Sequence, residues 1–159
     1  MEWDLDEAAK DGKVDELKEI LRNNPNIDVN WEGNLGSGHS PLTVACQGGR
    51  GAIVSILLAH PNIDANMKNK SGWTPFNYSC SMGKTTCVRV MLRDSRVNVL
   101  EASDVGFTPL WRAASLGHLD VIKWWIASGR EMDSIAPGTS WHRCQCEDQM
   151  WIHSLLLCL

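Results

Sequence analysis

The side chains best suited to metal chemistry lie near the C-terminal end of the sequence. Two histidines and two cysteines follow one another closely there: His142, Cys144, Cys146 and His153. Thiolate and imidazole are ligand types that zinc prefers, and a structural zinc site takes four of them in a tetrahedron. However, Cys-x-Cys is a weaker spacing than Cys-x-x-Cys, and no second pair has a metal-type spacing. A metal-binding or redox-sensing protein is therefore the alternative hypothesis, not the leading one.

Two further patterns suggest catalysis but fit structural roles better. Gly83-Lys84-Thr85 resembles the end of a phosphate-binding loop, but the first glycine of that motif would fall at Tyr78. Cys46 and Cys87 would need a neighbouring base and an oxyanion site to act as nucleophiles. Both occur at apolar places of a repeated pattern and are interpreted as small core residues. We therefore predict no enzymatic activity, no catalytic residue and no cofactor.

The repeated pattern has a period of 34 residues. It is marked by a proline, a small residue, a glycine and an apolar triplet, each recurring at the same step. The markers are Pro41, Pro75 and Pro109; Cys46, Cys80 and Ala114; Gly49, Gly83 and Gly117; and the triplets that begin at Ile56, Val90 and Trp124. A further unit precedes them, with its glycine at Gly12. Four coincident markers indicate a repeat architecture.

Each unit predicts two short helices joined by a tight turn. Ser or Thr followed by Pro places a hydroxyl at the N-cap and proline at the first helical position. The glycine marker fits the left-handed residue that ends a helix. Apolar residues at i, i+3 and i+4 indicate the second helix. The predicted helices are 42–47, 76–81 and 110–115, followed by 52–59, 86–93 and 119–128.

These residues resemble the ankyrin repeat. Gly72-Trp73-Thr74-Pro75-Phe76 and Gly106-Phe107-Thr108-Pro109-Leu110 carry the resemblance, together with the run from Ala113 to Ile122. Tetratricopeptide units have a similar length but place proline at the end of the second helix. The resemblance implies an all-α solenoid of stacked helix-turn-helix units with protruding hairpins. It covers about residues 4 to 133, and the first unit lacks Thr-Pro, which fits a capping unit.

The sequence departs from the family pattern at the place where a histidine usually follows Thr-Pro-Leu. Thr43, Asn77 and Trp111 occupy that place. The hydrogen bonds that this histidine would make between units are therefore in question. Asn30 and Asn66 match an asparagine of the family, but the next unit has Leu100 there.

We predict an ankyrin-repeat domain over 1–133 with units at 1–30, 31–66, 67–100 and 101–133, followed by a non-repeat tail at 134–159. The tail holds two Trp, three Cys and two His between Thr139 and Leu159. Three interpretations stay open: a degenerate C-terminal cap, a foreign segment from altered splicing or a shifted frame, or the metal site described above.

The resemblance implies a protein-interaction module that binds through its concave face and loop tips. The family's variable contact positions fall on His39, Gln47, Lys70, Ser71, Trp73, Ser81, Met82, Asp104, Val105, Phe107, Ser115 and Leu116. Trp111 could join Trp73 and Phe107 in an aromatic patch that anchors a partner. The alternative is that each ring packs on its own hairpin.

Composition limits the partners and the compartment. The net charge of −4 argues against nucleic acid, since phosphate binding needs a basic face. No apolar run approaches the roughly 20 residues of a membrane span. The acidic start, Met1 to Glu7, predicts no secretory signal, and the scattered cysteines indicate reduced thiols. We expect a monomer that lies in the cytoplasm or nucleus and binds a protein.

Overall fold

The computed structural model describes residues 2–33 and 38–131, and eight α-helices lie within this part of the chain. They form four consecutive pairs, which we number 1 to 4. The helices are α1 (Glu2–Asp11) and α2 (Val14–Asn23), α3 (Pro41–Gly48) and α4 (Gly51–Leu58), α5 (Pro75–Ser81) and α6 (Thr85–Leu92), and α7 (Pro109–Ser115) and α8 (Leu119–Ser128). The helices predicted for pairs 2 to 4 are confirmed, with ends that differ by at most one residue.

The first helices of pairs 2 to 4 begin as the Ser/Thr-Pro dipeptides predict. The side-chain oxygens of Ser40, Thr74 and Thr108 accept hydrogen bonds from backbone N–H groups three residues on, at 3.4, 3.2 and 3.3 Å. Each satisfies a donor that the first helical turn leaves without a partner. The proline that follows has no N–H group. No hydrogen bond is lost at this position, because the N–H of the first helical residue has no acceptor within the helix.

The pairs stack into two layers. Helices α1, α3, α5 and α7 pack side by side in one layer, and α2, α4, α6 and α8 form the other. The core between the layers is built from apolar residues at repeated places, among them Leu42, Phe76, Ile53 and Val121, all fully or almost fully buried. Phe76 also contacts Trp125 of the next pair, with ring centroids 5.1 Å apart. The core is therefore continuous from one pair to the next.

Cysteines occupy buried positions at which close packing of the helices requires a small side chain. Cys46 and Cys80 are fully buried, and burial raises the pKa of both thiols well above the usual value. The Cys46 thiol donates to Met91 Sδ at 3.6 Å, and the buried Cys87 thiol lies 3.9 Å from the carbonyl oxygen of Ala45. Burial favours the neutral form of Cys46 and Cys80, whereas the hydrogen bond with Cys46 lowers the pKa of Cys87. All three thiols lie in the core, which agrees with the interpretation of Cys46 and Cys87 as core residues.

Asparagine side chains connect the loops that follow successive pairs. Asn66 Nδ2 donates to the carbonyl oxygen of Arg96 at 2.8 Å, and Asn66 Oδ1 accepts from the backbone N–H of Asn98 at 2.7 Å. Asn30 makes the same two bonds to Asn62 and Asp64, at 2.8 Å each. One amide thus supplies both a donor and an acceptor to the next loop, which fixes the distance between pairs.

The series of bridging amides ends at Leu100, whose side chain has no hydrogen-bonding group. At this end of the stack Arg130 provides the contact instead. Its guanidinium donates to the carbonyl oxygens of Asp94 and Val97, the first at 3.1 Å. A charged side chain from pair 4 therefore replaces the amide that the repeat pattern lacks there.

The adjacent tryptophans of α8 have different environments. Trp125 is fully buried and donates from Nε1 to the carbonyl oxygen of Glu131 at 3.0 Å. Trp124 is 41% exposed, and the guanidinium carbon of Arg89 lies 4.1 Å from its ring centroid. Neighbouring helical residues point about 100° apart, which explains why only one ring can enter the core.

Asn66→Ala tests the bridge between pairs. The variant loses one donor and one acceptor to the next loop, so we expect the free energy of unfolding to fall by about 1 to 2 kcal/mol. Urea unfolding followed by circular dichroism measures the change. Asn26→Ala is the matched control, because Asn26 is exposed and makes no side-chain hydrogen bond in the described part of the chain. Equal stability of the two variants would show that the bridge contributes nothing.

Candidate functional site

The predicted contact residues lie in the hairpins at 69–73 and 103–107, at His39 just before α3, or on and directly after the helices α3, α5 and α7; we call these segments together the inner face. None of them is buried. The hairpin and turn residues Lys70, Ser71, Met82, Asp104, Val105, Ser115 and Leu116 are exposed, whereas His39, Gln47, Trp73, Ser81, Phe107 and Trp111 are half-buried. Exposure alone leaves all of them available to a partner.

Three of the predicted aromatic residues come together through a residue that the sequence did not single out. Phe107 and Trp111 stack with centroids 4.3 Å apart and ring planes within 5°. Trp73 packs on Tyr78, with centroids 5.0 Å apart. The guanidinium carbon of Arg112 lies 5.4 Å from the Trp73 centroid and 5.7 Å from the Phe107 centroid, and so links the two groups. We call these five residues the aromatic–arginine cluster.

The cluster forms because pair 4 stacks on pair 3. Tyr78 and Arg112 occupy the same place in successive units, on α5 and α7, and Trp73 belongs to the hairpin that precedes α5. The arginine thus reaches a ring of the preceding unit. Nothing in the local sequence marks Arg112 or Tyr78, and the only signal is their 34-residue separation.

The hairpin that carries Trp73 is held by Asn69. Asn69 Oδ1 accepts from the backbone N–H groups of Ser71 and Trp73, at 3.0 and 2.9 Å. Its Nδ2 donates to the Tyr78 hydroxyl at 2.8 Å. The amide therefore closes the turn and ties it to α5, which fixes the position of the Trp73 ring. Asparagine before a glycine turn is a recognised signal for this role, and sequence analysis missed it.

His39 extends this polar network to the preceding unit. Its Nε2 lies 3.0 Å from the Tyr78 hydroxyl and 3.3 Å from Asn69 Nδ2. The amide nitrogen can only donate, so Nε2 is an acceptor and the imidazole is neutral. Burial lowers the pKa of His39, while the carboxylate of Asp6 acts in the opposite direction. Burial raises the pKa of Tyr78, and hydrogen bonds from Asn69 and Gln47 oppose that shift.

Asp6 lies at the edge of this network. Its Oδ1 is shielded from solvent and has no hydrogen-bond partner in residues 2–33 and 38–131. Burial raises the pKa of its carboxyl, and the charge of Lys10 and that of His39 when it is protonated act against that shift. The site thus holds polar groups that restrain one another, and it offers a firm surface with aromatic rings and one guanidinium.

The place usually held by histidine is filled differently in each unit. Asn77 Nδ2 donates to the carbonyl oxygen of Glu101 at 3.0 Å, so this amide makes the bond to the next unit that the sequence put in question. Within the described residues, Thr43 Oγ1 bonds to Ser40 Oγ alone, at 3.1 Å. Trp111 stacks on Phe107 instead. One of the three substitutions therefore preserves a bond between units, and one supplies a ring to the cluster.

The hairpin tips also stack on one another. A Cβ atom at Gly72 would lie 2.0 Å from Asp104 Oδ1 and 2.7 Å from the backbone nitrogen of Asp104. A Cβ at Gly38 would lie 3.3 Å from Lys70. The equivalent glycine of the last hairpin, Gly106, has nothing within 4 Å of that position. Each tip is therefore covered by the next, except the last one described.

Gly72→Ala and Gly106→Ala form a matched pair. Both glycines have left-handed backbone angles, with φ of +72° and +83°, so alanine costs about 1 to 2 kcal/mol at either place. Only at Gly72 does the new methyl group also collide with the next hairpin. We expect Gly72→Ala to be less stable than Gly106→Ala by about 1 kcal/mol or more in thermal unfolding. Equal losses would show that the tips do not stack.

The neutral state of His39 predicts a pH dependence of stability. Folding lowers the pKa of His39 from 6.5, so below pH 6.5 the unfolded chain binds more protons than the folded chain. The free energy of unfolding therefore decreases as the pH decreases. We expect His39→Gln to reduce this loss between about pH 7.5 and 5.5. Asp6 contributes in the opposite sense above pH 3.8, because its folded pKa is raised. The contribution of His39 is therefore obtained from the difference between wild type and variant in the slope of unfolding free energy against pH.

The control for the pH experiment is His60→Gln. His60 lies just after α4, where Nδ1 accepts from the backbone N–H of Asn62 at 3.3 Å, outside the network. Chemical unfolding at a series of pH values gives the slopes. A slope in His39→Gln that equals the wild-type slope would contradict the assignment of the loss to this ring.

The tail residues named as metal ligands, His142, Cys144, Cys146 and His153, lie outside the described residues. The hypothesis of a metal-binding or redox-sensing tail therefore stays a prediction, as do the unit boundaries. Among residues 2–33 and 38–131, no cluster of three or more His, Cys, Asp or Glu could hold a metal ion. In the same ranges no helix is long and apolar enough to cross a bilayer.

Comparison with known families agrees with this architecture. A family model described as ankyrin repeats in three copies matches residues 5–99 and 61–136. No curated protein matches the chain significantly. Domains with ankyrin repeats generally mediate protein–protein interaction and are typically non-enzymatic. The match spans well over half of the sequence and follows the repeated helix pairs, so this chain belongs to the ankyrin-repeat family.

Proposed function

We propose that this protein binds a protein partner through its inner face and that the aromatic–arginine cluster is the main contact. The cluster carries the proposal because four rings and a guanidinium stay half-exposed on adjoining units. Tryptophan, tyrosine and arginine dominate the energetics of protein interfaces because they bury a large, rigid area and can still hydrogen-bond. This protein acts as a non-enzymatic scaffold or adaptor.

Apolar side chains around the cluster extend the contact area. Met82 and Leu116, which follow α5 and α7, are 51% and 49% exposed, and Val105 at a hairpin tip is 67% exposed. Contiguous apolar surface on a monomer marks interaction sites. The remaining predicted contacts, His39, Gln47, Lys70, Ser71, Ser81, Asp104 and Ser115, form the polar margin of this surface.

Internal packing is the competing role for the two principal rings. Trp73 contacts Tyr78 of its own unit, Phe107 contacts Trp111 of its own unit, and Arg112 lies beside both rings. Trp73 and Phe107 are nonetheless only half-buried. Stability and binding measurements on the same variant separate the two roles.

The double variant Trp73→Ala, Phe107→Ala tests the proposal. We expect binding to be lost while the melting temperature changes by no more than a few degrees, since only half-buried area is removed. The measurement is quantitative affinity capture from the native lysate with the full chain as bait, beside thermal unfolding. Residues 1–133 serve as a parallel bait, and unchanged capture by that bait would show that the tail is not needed.

Trp124→Ala is the matched control, because Trp124 is a 41% exposed tryptophan stacked on an arginine, but on α8 in the other layer. Partners captured by wild type and by this control, and lost by the double variant, support the inner face. Partners retained by the double variant would overturn it. A large loss of stability in the double variant would assign both rings to internal packing.

The same proposal places this protein in the cytoplasm or nucleus as a monomer. Cys46, Cys80 and Cys87 are unpaired thiols, which persist in reducing compartments.

A further inference from the structure

We infer that the partner contributes the carboxylate of an aspartate or glutamate side chain, which pairs with Arg112 between Trp73 and Phe107. The inference rests on the proposed function, because it names the chemistry recognised at the same cluster. An extended peptide segment with one acidic side chain between apolar ones fits this place.

The guanidinium of Arg112 lacks polar partners in the described part of the chain. No hydrogen bond engages its nitrogens there, and no carboxylate lies within 4.0 Å. Its Nε is shielded from solvent, so that donor has lost water without gaining an acceptor. The charge of this guanidinium is therefore not balanced by any carboxylate of the described residues, and its terminal nitrogens can still donate to a ligand.

Several other cations of the described residues already have polar partners. Lys68 Nζ lies 2.5 Å from Glu101 Oε1, and Arg96 lies 2.6 Å from Asp94 Oδ2. Arg130 instead donates to backbone carbonyls. Arg112 differs because, within residues 2–33 and 38–131, its guanidinium lies beside aromatic rings and makes no hydrogen bond or ion pair, and ring faces offer no hydrogen-bond acceptor of full charge.

The rings restrict how a ligand can approach. Trp73 and Phe107 hold the arginine side chain in place, so less conformational entropy is lost when an anion binds. With Nε shielded, the terminal nitrogens Nη1 and Nη2 are the donors left for a ligand. A carboxylate matches two parallel donors of a guanidinium, and such bidentate pairs are among the stronger hydrogen bonds in proteins.

The surroundings define the rest of the ligand. Met82 and Leu116 directly follow α5 and α7, and Val105 is two residues before Phe107; all three are exposed apolar residues, which suits apolar side chains on either side of the acidic residue. Lys70, exposed at the neighbouring tip, makes no ion pair in the described residues and adds positive charge. Asp104, at the next tip, disfavours a second acidic residue there.

The test selects ligands from a random peptide library with the full chain as bait. The peptides are anchored through their C-termini, so a terminal carboxylate cannot contribute. Clones that bind wild type and fail to bind the double variant Trp73→Ala, Phe107→Ala define the pool that uses the inner face. We expect this pool to be enriched in one Asp or Glu flanked by apolar residues.

A double-mutant cycle then assigns the acidic residue to its partner. Replacing it by Asn or Gln is expected to weaken binding to wild type about ten- to a hundredfold. The same change is expected to have no further effect on Arg112→Gln, and Arg112→Lys is expected to bind with intermediate affinity. Arg89→Gln is the control, because Arg89 also stacks on a tryptophan but lies on α6.

The outcomes separate this inference from the proposed function. An empty pool would contradict the inner face as a binding site. A pool without acidic enrichment, or a cycle in which the two changes add, would overturn the carboxylate and leave the face intact. Thermal unfolding of Arg112→Gln and Arg112→Lys checks the fold, and the peptide substitutions need no change in the protein.

Discussion

The structure depends on one constraint: each helix pair must be covered by the next at a fixed register. The contacts show this directly, because the space above the turn glycines of one pair is filled by a side chain of the following pair. Arg50 lies over Gly12, Lys84 over Gly49 and His118 over Gly83. His118 also donates from Nε2 to the carbonyl oxygen of Ser81 at 2.9 Å. A larger residue at these glycines would separate the pairs, since the turn needs a left-handed backbone and leaves no space for a side chain.

The candidate site is a product of the same register. Arg112 reaches Trp73 only because α7 lies against α5 at the spacing that the turns and the bridging asparagines impose. In a solenoid, each unit contacts only its neighbours, so a site that spans two units is destroyed by any change that shifts one against the other. Stability of the interface between pairs 3 and 4 and integrity of the cluster are therefore linked.

The sequence predicted the local features well because they depend on short-range chemistry. Proline after Ser or Thr, glycine in the turn and the spacing of apolar residues determine where each helix begins and ends. Contacts between units were harder to predict, because they depend on the reach of side chains that lie 34 residues apart. Asn77 restores a bond that the missing histidine would make, and Arg130 acts where Leu100 cannot. Trp111 stacks on Phe107. Arg112 and Tyr78 carry no local signal, and the turn signal of Asn69 does not by itself indicate a bond to Tyr78.

The repeated place held by Val44, Tyr78 and Arg112 shows why the binding chemistry concentrates in the last pair described. Val44 has no polar atoms to satisfy. Tyr78 has them, and they are satisfied by His39 of the preceding unit and by Asn69 of its own hairpin. Arg112 carries a full charge, and the described residues give it only rings. From Val44 to Arg112, the side chain at this place gains polar groups, but at Arg112 these groups make no hydrogen bond within the described residues. Arg112 is therefore the member of the series whose donors a partner can bind. Because its neighbours fix its position, that unsatisfied charge is presented in a defined place, and a ligand gains from pairing with it.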